Sequence, residues 1–258
     1  MMQKKLREEK GMEKAVKAVI LAAGKGTRLQ TEGVDAPKVM RLAAGEPLLR
    51  HVLRALDFLP REDILLVLGY KKEQVVAAFP DYAWCEQSEQ LGTGHAAGCG
   101  MKALGDYEGD VLVGAGDMPL LTRDTYLGLL EEHRRAGNAC TILTGTADIP
   151  SKGYGRVLRN ENGEFVSIVE EKDCTPRQRE IRELNSAVYV FDAAALRRAL
   201  GLLKNENAQG EYYLTDTPTI LMELGEKVGV CCRHLGKEIL GVNTPQQLSE
   251  VEETLLRR

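Results

Sequence analysis

The chain has 258 residues, 43% of them apolar and 28% charged, with a net charge of −4, enough to bury a sizeable core as one domain. The mild acidity argues against nucleic acid or an anionic membrane as partner, so any phosphate ligand must be met by local basic groups and backbone N–H donors. No apolar run approaches the roughly 18 residues of a membrane span, and the charged start MMQKKLREEKGMEK lacks the apolar stretch of a secretory signal, so a cytoplasmic location is expected.

Residues 1–15 read as an extension ahead of the first core strand, and residues 16–258 as one domain. Val16–Ala22 predicts a buried strand, and a Gly-rich loop follows it. Pro47–Leu59 has helical spacing and Ile64–Leu68 reads as a strand. Further strands are predicted near Tyr82–Glu86, Val111–Ala115 and Cys140–Leu143, with helices near Gly94–Leu104 and Arg123–Ala136. Such alternation predicts an α/β fold: a Rossmann-like, mostly parallel sheet with helices on both faces.

After Ile149 the pattern changes. Arg156–Leu158 and Phe165–Val169 flank Asn162-Gly163, a hairpin signal, and the stretch from about 150 to 184 predicts a small β-rich insertion. Leu184–Phe191, a helix over Ala193–Leu203, and Lys227–Cys232 return to the α/β theme. Thr244-Pro245-Gln246-Gln247 supplies an N-cap, a proline at N1 and a glutamine at N3 of a last helix. The six cysteines form no C-x-x-C pair and are expected to be reduced thiols, with Cys231 and Cys232 on opposite faces of a strand.

Three places carry chemistry. In Val19-Ile20-Leu21-Ala22-Ala23-Gly24-Lys25-Gly26-Thr27-Arg28 a strand ends in small residues and turns through two glycines, so backbone N–H groups can approach a phosphate; Arg28 and Lys38 add charge. The same loop also reads as a plain strand-to-helix turn with solvated basic residues, and it matches neither Walker A nor G-x-G-x-x-G. Asp117 follows the apolar run Val111–Ala115, at the strand end where open α/β sheets bind ligands. It reads equally as the cap of a Met-Pro turn. Thr93, in Gln87-Ser88-Glu89-Gln90-Leu91-Gly92-Thr93-Gly94-His95, is a plausible N-cap for the helix that follows, and His95 is expected to be packed rather than to act as a base.

L-A-A-G-K-G-T-R followed by P-K-V resembles the signature of the nucleotidyltransferases that activate sugar phosphates, and from Val16 onward the chain is similar to the uridylyltransferase domain of the GlmU family. The resemblance implies the nucleotide-diphospho-sugar transferase type of fold and Mg²⁺ held by Asp117 and Asn243. It also implies catalytic roles for Arg28, Lys38 and Asp117, and a nucleotide and sugar site from Leu21, Ala22, Ala23, Gly24, Gln87, Gly92, Thr93, Gly116, Gly155, Glu170 and Asn185. Gln87 would read the uracil edge, since an amide offers both a donor and an acceptor. Asn207–Asp216 matches this family more closely than relatives that activate glucose or mannose phosphates. Three departures stand out: Ala115 where tyrosine is usual, Ser186-Ala187 where Thr-Gly is usual, and an Arg28-to-Lys38 spacing about three residues longer.

The implied reaction joins UTP and N-acetylglucosamine-1-phosphate into UDP-N-acetylglucosamine, a peptidoglycan precursor, with release of pyrophosphate. G-D-M-P-L also resembles the molybdopterin nucleotidyltransferases, so the alternatives are another sugar-1-phosphate, a molybdopterin-type cofactor, or nucleotide-sugar binding without catalysis. No hexapeptide array of the left-handed β-helix type is visible. The chain is therefore expected not to acetylate, to depend on a separate acetyltransferase, and to be a monomer or weak homodimer.

Overall fold

The computed structural model describes residues 14–29, 35–146 and 152–258. Apart from Lys14 and Ala15, the extension expected over 1–15 lies outside the described residues, as does the expected change of pattern at Ile149.

The first half of the chain alternates strand and helix. It runs β1 (Val16–Ala22), β2 (Leu42–Ala43), β3 (Glu46–Pro47), α1 (Leu48–Ala55), β4 (Ile64–Leu68), α2 (Lys72–Ala78), β5 (Ala83–Glu86), α3 (Thr93–Ala103), β6 (Asp110–Ala115), α4 (Arg123–Ala136) and β7 (Cys140–Thr146). The second half brings β8 (Arg156–Arg159), β9 (Phe165–Val169), α5 (Pro176–Arg179), β10 (Glu183–Asp192), α6 (Ala193–Leu200), α7 (Thr217–Glu223), β11 (Val228–His234) and α8 (Pro245–Leu256). The main sheet has the order β11-β7-β10-β6-β1-β4-β5. Strands β1, β4, β5 and β6 pair in parallel, as do β7 and β11, while β10 runs against both β6 and β7.

Central strands buried on both faces read as continuous apolar runs, and β4 is buried at all five positions. Its side chains alternate between two cores. Ile64, Leu66 and Leu68 join Val52 and Leu53 of α1 and Leu129 of α4, while Leu65 and Val67 join Ala97 and Met101 of α3 and Leu196 of α6. At about 1.5–3 kcal/mol for each buried aliphatic side chain, these layers hold the sheet between its helices. A third, smaller cluster packs Val242 and Val251 against Leu29, Ala43, Leu48 and Leu120, which seats α8 beside the loops at one end of the sheet.

The expected hairpin forms between β8 and β9, with Gly163 N–H donating to Asn160 O at the turn, and its register shifts near Arg159. Leu184 of β10 pairs with Arg156, so the hairpin extends the main sheet at one end. The helix expected over Pro47–Leu59 stops at Ala55, and its last residues continue as hydrogen-bonded turns, Leu59 N–H to Leu56 O. The helix expected to reach Leu203 ends at Leu200. All six cysteines are free; Cys231 is buried and Cys232 exposed, on opposite faces of β11. Among the described residues no helix is long and apolar enough to cross a membrane.

Candidate active site

A cavity of about 310 Å³ opens where β1 and β6 end. Leu21, Ala22, Ala23 and Gly24 form one wall, Lys38, Ala115 and Asp117 another. Around Gly24 a methyl group would meet nothing within 4 Å, so this part of the loop faces open space. Gly26 is different: it has φ +63°, and a Cβ there would lie 2.8 Å from Lys38 Cβ. Only glycine combines that conformation with that approach, so Gly26 allows the loop to pack against the lysine.

Lys38 opens a short 3₁₀ turn behind Pro37, whose fixed φ of −64° sets the entry. Its ammonium donates to Asp117 Oδ2, and to Asn243 Oδ1 at 2.7 Å. Gly116 N–H bonds to Leu21 O at 2.9 Å, carrying the β1–β6 pairing past the strand and fixing Asp117 next to it. Asn243 is held from two sides. Val242 N–H donates to Asp117 O at 3.0 Å, and Asn243 N–H donates to Gln247 Oε1 at 2.8 Å. Thr244 caps α8 as expected, accepting from Gln247 N–H, but the glutamine side chain reaches back to Asn243 rather than to Thr244. Thus three residues expected at one centre meet there, with two hard oxygen donors converging on a cation. Mg²⁺ takes such oxygens and commonly needs only one or two from the protein, so the donor set fits it. Among the described residues no three His, Cys or carboxylate side chains gather as a closed metal cage.

Arg28 stands apart. It sits on the 3₁₀ turn Thr27–Leu29 beside the buried Leu29, is itself exposed, and is not among the residues that line the cavity.

The second lobe of the cavity is lined by Gln87, Gln90, Gly92, Thr93 and Ala96. The expected N-cap is corrected here. Gly92, at φ +106°, occupies the cap position; Thr93 is the first helical residue, and its Oγ1 accepts from Leu214 N–H at 3.0 Å. The reason is the neighbouring segment: Tyr212 N–H bonds to Leu91 O and Gly94 N–H to Tyr212 O, both at 2.8 Å. A Cβ on Gly92 would come 2.6 Å from Tyr212 O. His95 is half-buried, with Nδ1 3.1 Å from Gln87 Nε2.

The third lobe holds Glu170, Asn185, Ala187, Tyr189 and Thr215. Asn185 Nδ2 donates to Tyr189 Oη at 2.8 Å, and Ala187 N–H donates to Asn185 Oδ1 at 3.2 Å, within a bulge between Asn185 and Val188. Gly155 is not a lining residue. It stands behind Asn185, its carbonyl accepting from Asn185 N–H, with a hypothetical Cβ 3.0 Å from Ile168. Burial pushes the Glu170 carboxyl above its usual range; the Thr215 hydroxyl, donating at 3.1 Å, opposes this, and the charges of Asp216, Asp173 and Glu211 add to it.

Gln90, Ala187, Tyr189, Glu211, Leu214 and Thr215 line the cavity without having been singled out as site residues. Glu211, Leu214 and Thr215 lie in the run Asn207–Asp216, noted for its similarity but not resolved into single contacts; Gln90 lies in the run that starts at Gln87, Ala187 was noted as a departure from the family pattern, and Tyr189 had no signal. Gln90 fastens the wall by donating to Ala23 O at 2.7 Å.

The chain is similar to known proteins in sequence and in fold. Residues 18–209 match the family model of the MobA-like NTP transferase domain. The bifunctional protein GlmU of Streptococcus thermophilus is 44% identical over 242 residues, covering 93% of this chain and 52% of that protein. The bifunctional protein GlmU of Mycobacterium tuberculosis is 43% identical over 249 residues, with 93% and 50% covered. The chain thus spans about half the length of the curated relatives it matches. A Bacillus anthracis structure, described as that of a candidate glucose-1-phosphate thymidylyltransferase with sucrose bound, superposes with a TM-score of 0.70 at 18% identity, covering 93% of this chain and 95% of that one. It shares the mixed, mostly parallel α/β fold. With its strand-end cavity and a family match that spans most of its length, the chain belongs to the MobA-like NTP transferase domain family.

Proposed function

We propose that the protein is a Mg²⁺-dependent uridylyltransferase that forms UDP-N-acetylglucosamine and pyrophosphate from UTP and N-acetylglucosamine-1-phosphate. The observation that carries this reading is the convergence of Lys38, Asp117 and Asn243 at the mouth of a cavity whose other lobes hold Gln87 and Glu170. The level of identity to GlmU proteins supports it further.

In this reading a phosphate oxygen of the sugar 1-phosphate attacks the α-phosphorus of UTP. The new O–P bond forms as the bond to the β-phosphate oxygen breaks, and pyrophosphate leaves with its electron pair. The nucleophile is already anionic, so no general base is needed, and catalysis is positioning with charge neutralisation. Asp117 and Asn243 would hold Mg²⁺, which when bound neutralises phosphate charge. Lys38, released from those two oxygens, would meet the triphosphate as a point charge. The N–H groups of the loop at Ala23 and Gly24 would approach the phosphates, and Arg28 would add charge beside them. Gln87, Gly92 and Thr93 would meet the base. Glu170 and Asn185 would meet the sugar, with Gly155 supporting Asn185 from behind.

A second reading, a different sugar with the same chemistry, is favoured by one observation: Ala115 and Ala187, two of the departures from the family pattern, both line the cavity. One experiment separates the two. Pyrophosphate release is measured across a matrix of nucleoside triphosphates and sugar 1-phosphates with Mg²⁺. The fastest release is expected from UTP with N-acetylglucosamine-1-phosphate. A faster sugar would replace the substrate, and silence across the matrix would overturn the enzymatic reading.

A further inference from the structure

Gln87 is only 4% exposed and reaches the cavity wall from the end of β5. Its Nε2 lies 3.0 Å from Gly92 O and 3.1 Å from His95 Nδ1. A carbonyl oxygen can only accept, so the atom facing Gly92 must be the nitrogen, and the orientation of the amide follows from chemistry. The same carbonyl accepts from Ala96 N–H at 3.1 Å, closing the first turn of α3. With one amide hydrogen on Gly92, the other points at His95 Nδ1, which must then offer a lone pair. With Nδ1 accepting, the ring proton belongs on Nε2, the nitrogen that faces Cys99 Sγ at 3.9 Å. Burial pushes the Cys99 thiol above its usual range. Both hydrogens of Gln87 are used inside the protein. Oε1, with no hydrogen-bond partner among the described residues, is the atom left for a ligand.

We infer that His95 is a positioning residue for base recognition: by accepting from Gln87 it holds Oε1 toward the cavity as a lone acceptor, so the pocket selects a base that presents an N–H there. The inference rests on the nucleotidyltransferase reading above. It names the imide N3–H of uracil as the matching group. Cytosine fails because its ring N3 carries a lone pair, which would face the Oε1 lone pairs across the contact. Rotating the amide to suit cytosine would set its oxygen against Gly92 O and His95 Nδ1, two acceptors, so the protein itself resists the change.

The test combines three measurements. Steady-state kinetics with Mg²⁺ compare UTP and CTP in wild type, His95→Leu and His95→Asn. Leucine removes the acceptor, while asparagine returns one in its Oδ1. His95→Leu is expected to raise KM for UTP roughly fivefold to tenfold, the worth of about one neutral hydrogen bond, with kcat within about twofold. The preference for UTP over CTP should shrink by a similar factor, and His95→Asn should restore most of both. Unchanged KM in His95→Leu, or equal behaviour of the two variants, overturns the proposal. Independently of turnover, ¹⁵N NMR of the ligand-free wild type should find His95 protonated on Nε2 alone; a proton on Nδ1 overturns it. If no nucleotide gives product, the enzymatic reading falls while the NMR result still decides the Gln87–His95 arrangement.

Discussion

Asp110 and Asp117 stand at the two ends of one segment, the first opening β6 and the second just past its close. Asp110 is 1% exposed. Arg134 Nε donates to it at 3.1 Å and His133 Nε2 lies 3.7 Å away. Burial alone would raise its carboxyl, but those two neighbours hold it below the usual range. Around it Lys14 pairs with Asp192 and Arg198 with Glu226, so the charges at this end of the sheet are matched within the protein. At the other end Asp117 is half-open and faces the ammonium of Lys38, which is shared with Asn243 at the edge of a cavity. The contrast separates two uses of one residue type. A carboxylate matched on all sides ties helix α4 to strand β6, whereas under the proposed function one held by a lysine at a cavity mouth would exchange that partner for a ligand.

The largest expected effect tests that contrast directly. Asp117→Ala should lower turnover by roughly 10²-fold or more and leave the thermal midpoint within about 3 °C of wild type. Asp110→Ala should do the reverse. It removes the buried carboxylate that Arg134 Nε and the buried His133 Nε2 face, at a cost of about 1–3 kcal/mol, read as a lower urea midpoint, while kcat of the folded protein stays within about twofold. An Asp110→Ala variant that stays stable but stops turning over would erase the distinction.

A middle-sized effect concerns Glu170, which lines the cavity and is half-buried. Its carboxyl is raised in the folded state, so its contribution to stability is fullest below its unfolded pKa and is lost as pH rises through the folded value. Glu170→Gln should therefore melt about 2–4 °C above wild type near neutral pH, and the gap should close toward about pH 4, where both side chains are neutral. Differential scanning calorimetry across that range gives the answer. A gap that widens on acidification has the wrong sign for a raised carboxyl.

The smallest effect is at Ala187, a non-glycine residue at φ +56° inside the bulge of β10. A left-handed conformation costs an L-residue about 1–2 kcal/mol, and glycine returns part of that to chain entropy when unfolded. Ala187→Gly should thus raise the thermal midpoint by no more than about 2–4 °C. A loss of stability would mean that the methyl group's packing outweighs the backbone strain.

The sheet was legible because its central strands are short, continuous apolar runs between helical patterns, as Ile64–Leu68 shows. Lys38, Asp117 and Asn243 were legible as a set only through resemblance, since nothing local relates residues 205 positions apart. The role of Thr93 was hidden for the same physical reason. Its hydroxyl is claimed by Leu214 N–H, 121 residues away, and that partner displaces the local capping bond the sequence suggested. For Arg28, charge next to a Gly-rich loop says nothing of direction, and the residue stays exposed beside the buried Leu29. Tyr189 escaped notice, and Ala187 was noted only as a departure from the family pattern, because the bulge at Asn185 decides which β10 side chains face the cavity, and a bulge leaves no mark on apolar periodicity.

The segment carrying Asn243 is laid over strands that are complete without it. Leu235 N–H bonds to Thr146 O, Gly241 N–H to Tyr154 Oη, and Val242 N–H to Asp117 O. Chains leave the ribosome N-terminus first, at roughly 5–20 residues per second. Strand β1, Lys38 and Asp117 are therefore free to assemble several seconds before Asn243 has been made. During that interval the nascent chain has a sheet and a phosphate loop but only one of the two oxygens that meet Lys38. Under the proposed assignment it cannot commit nucleotide to reaction until the segment carrying Asn243 has been made and laid over those strands, so competence arrives later than the formation of the sheet.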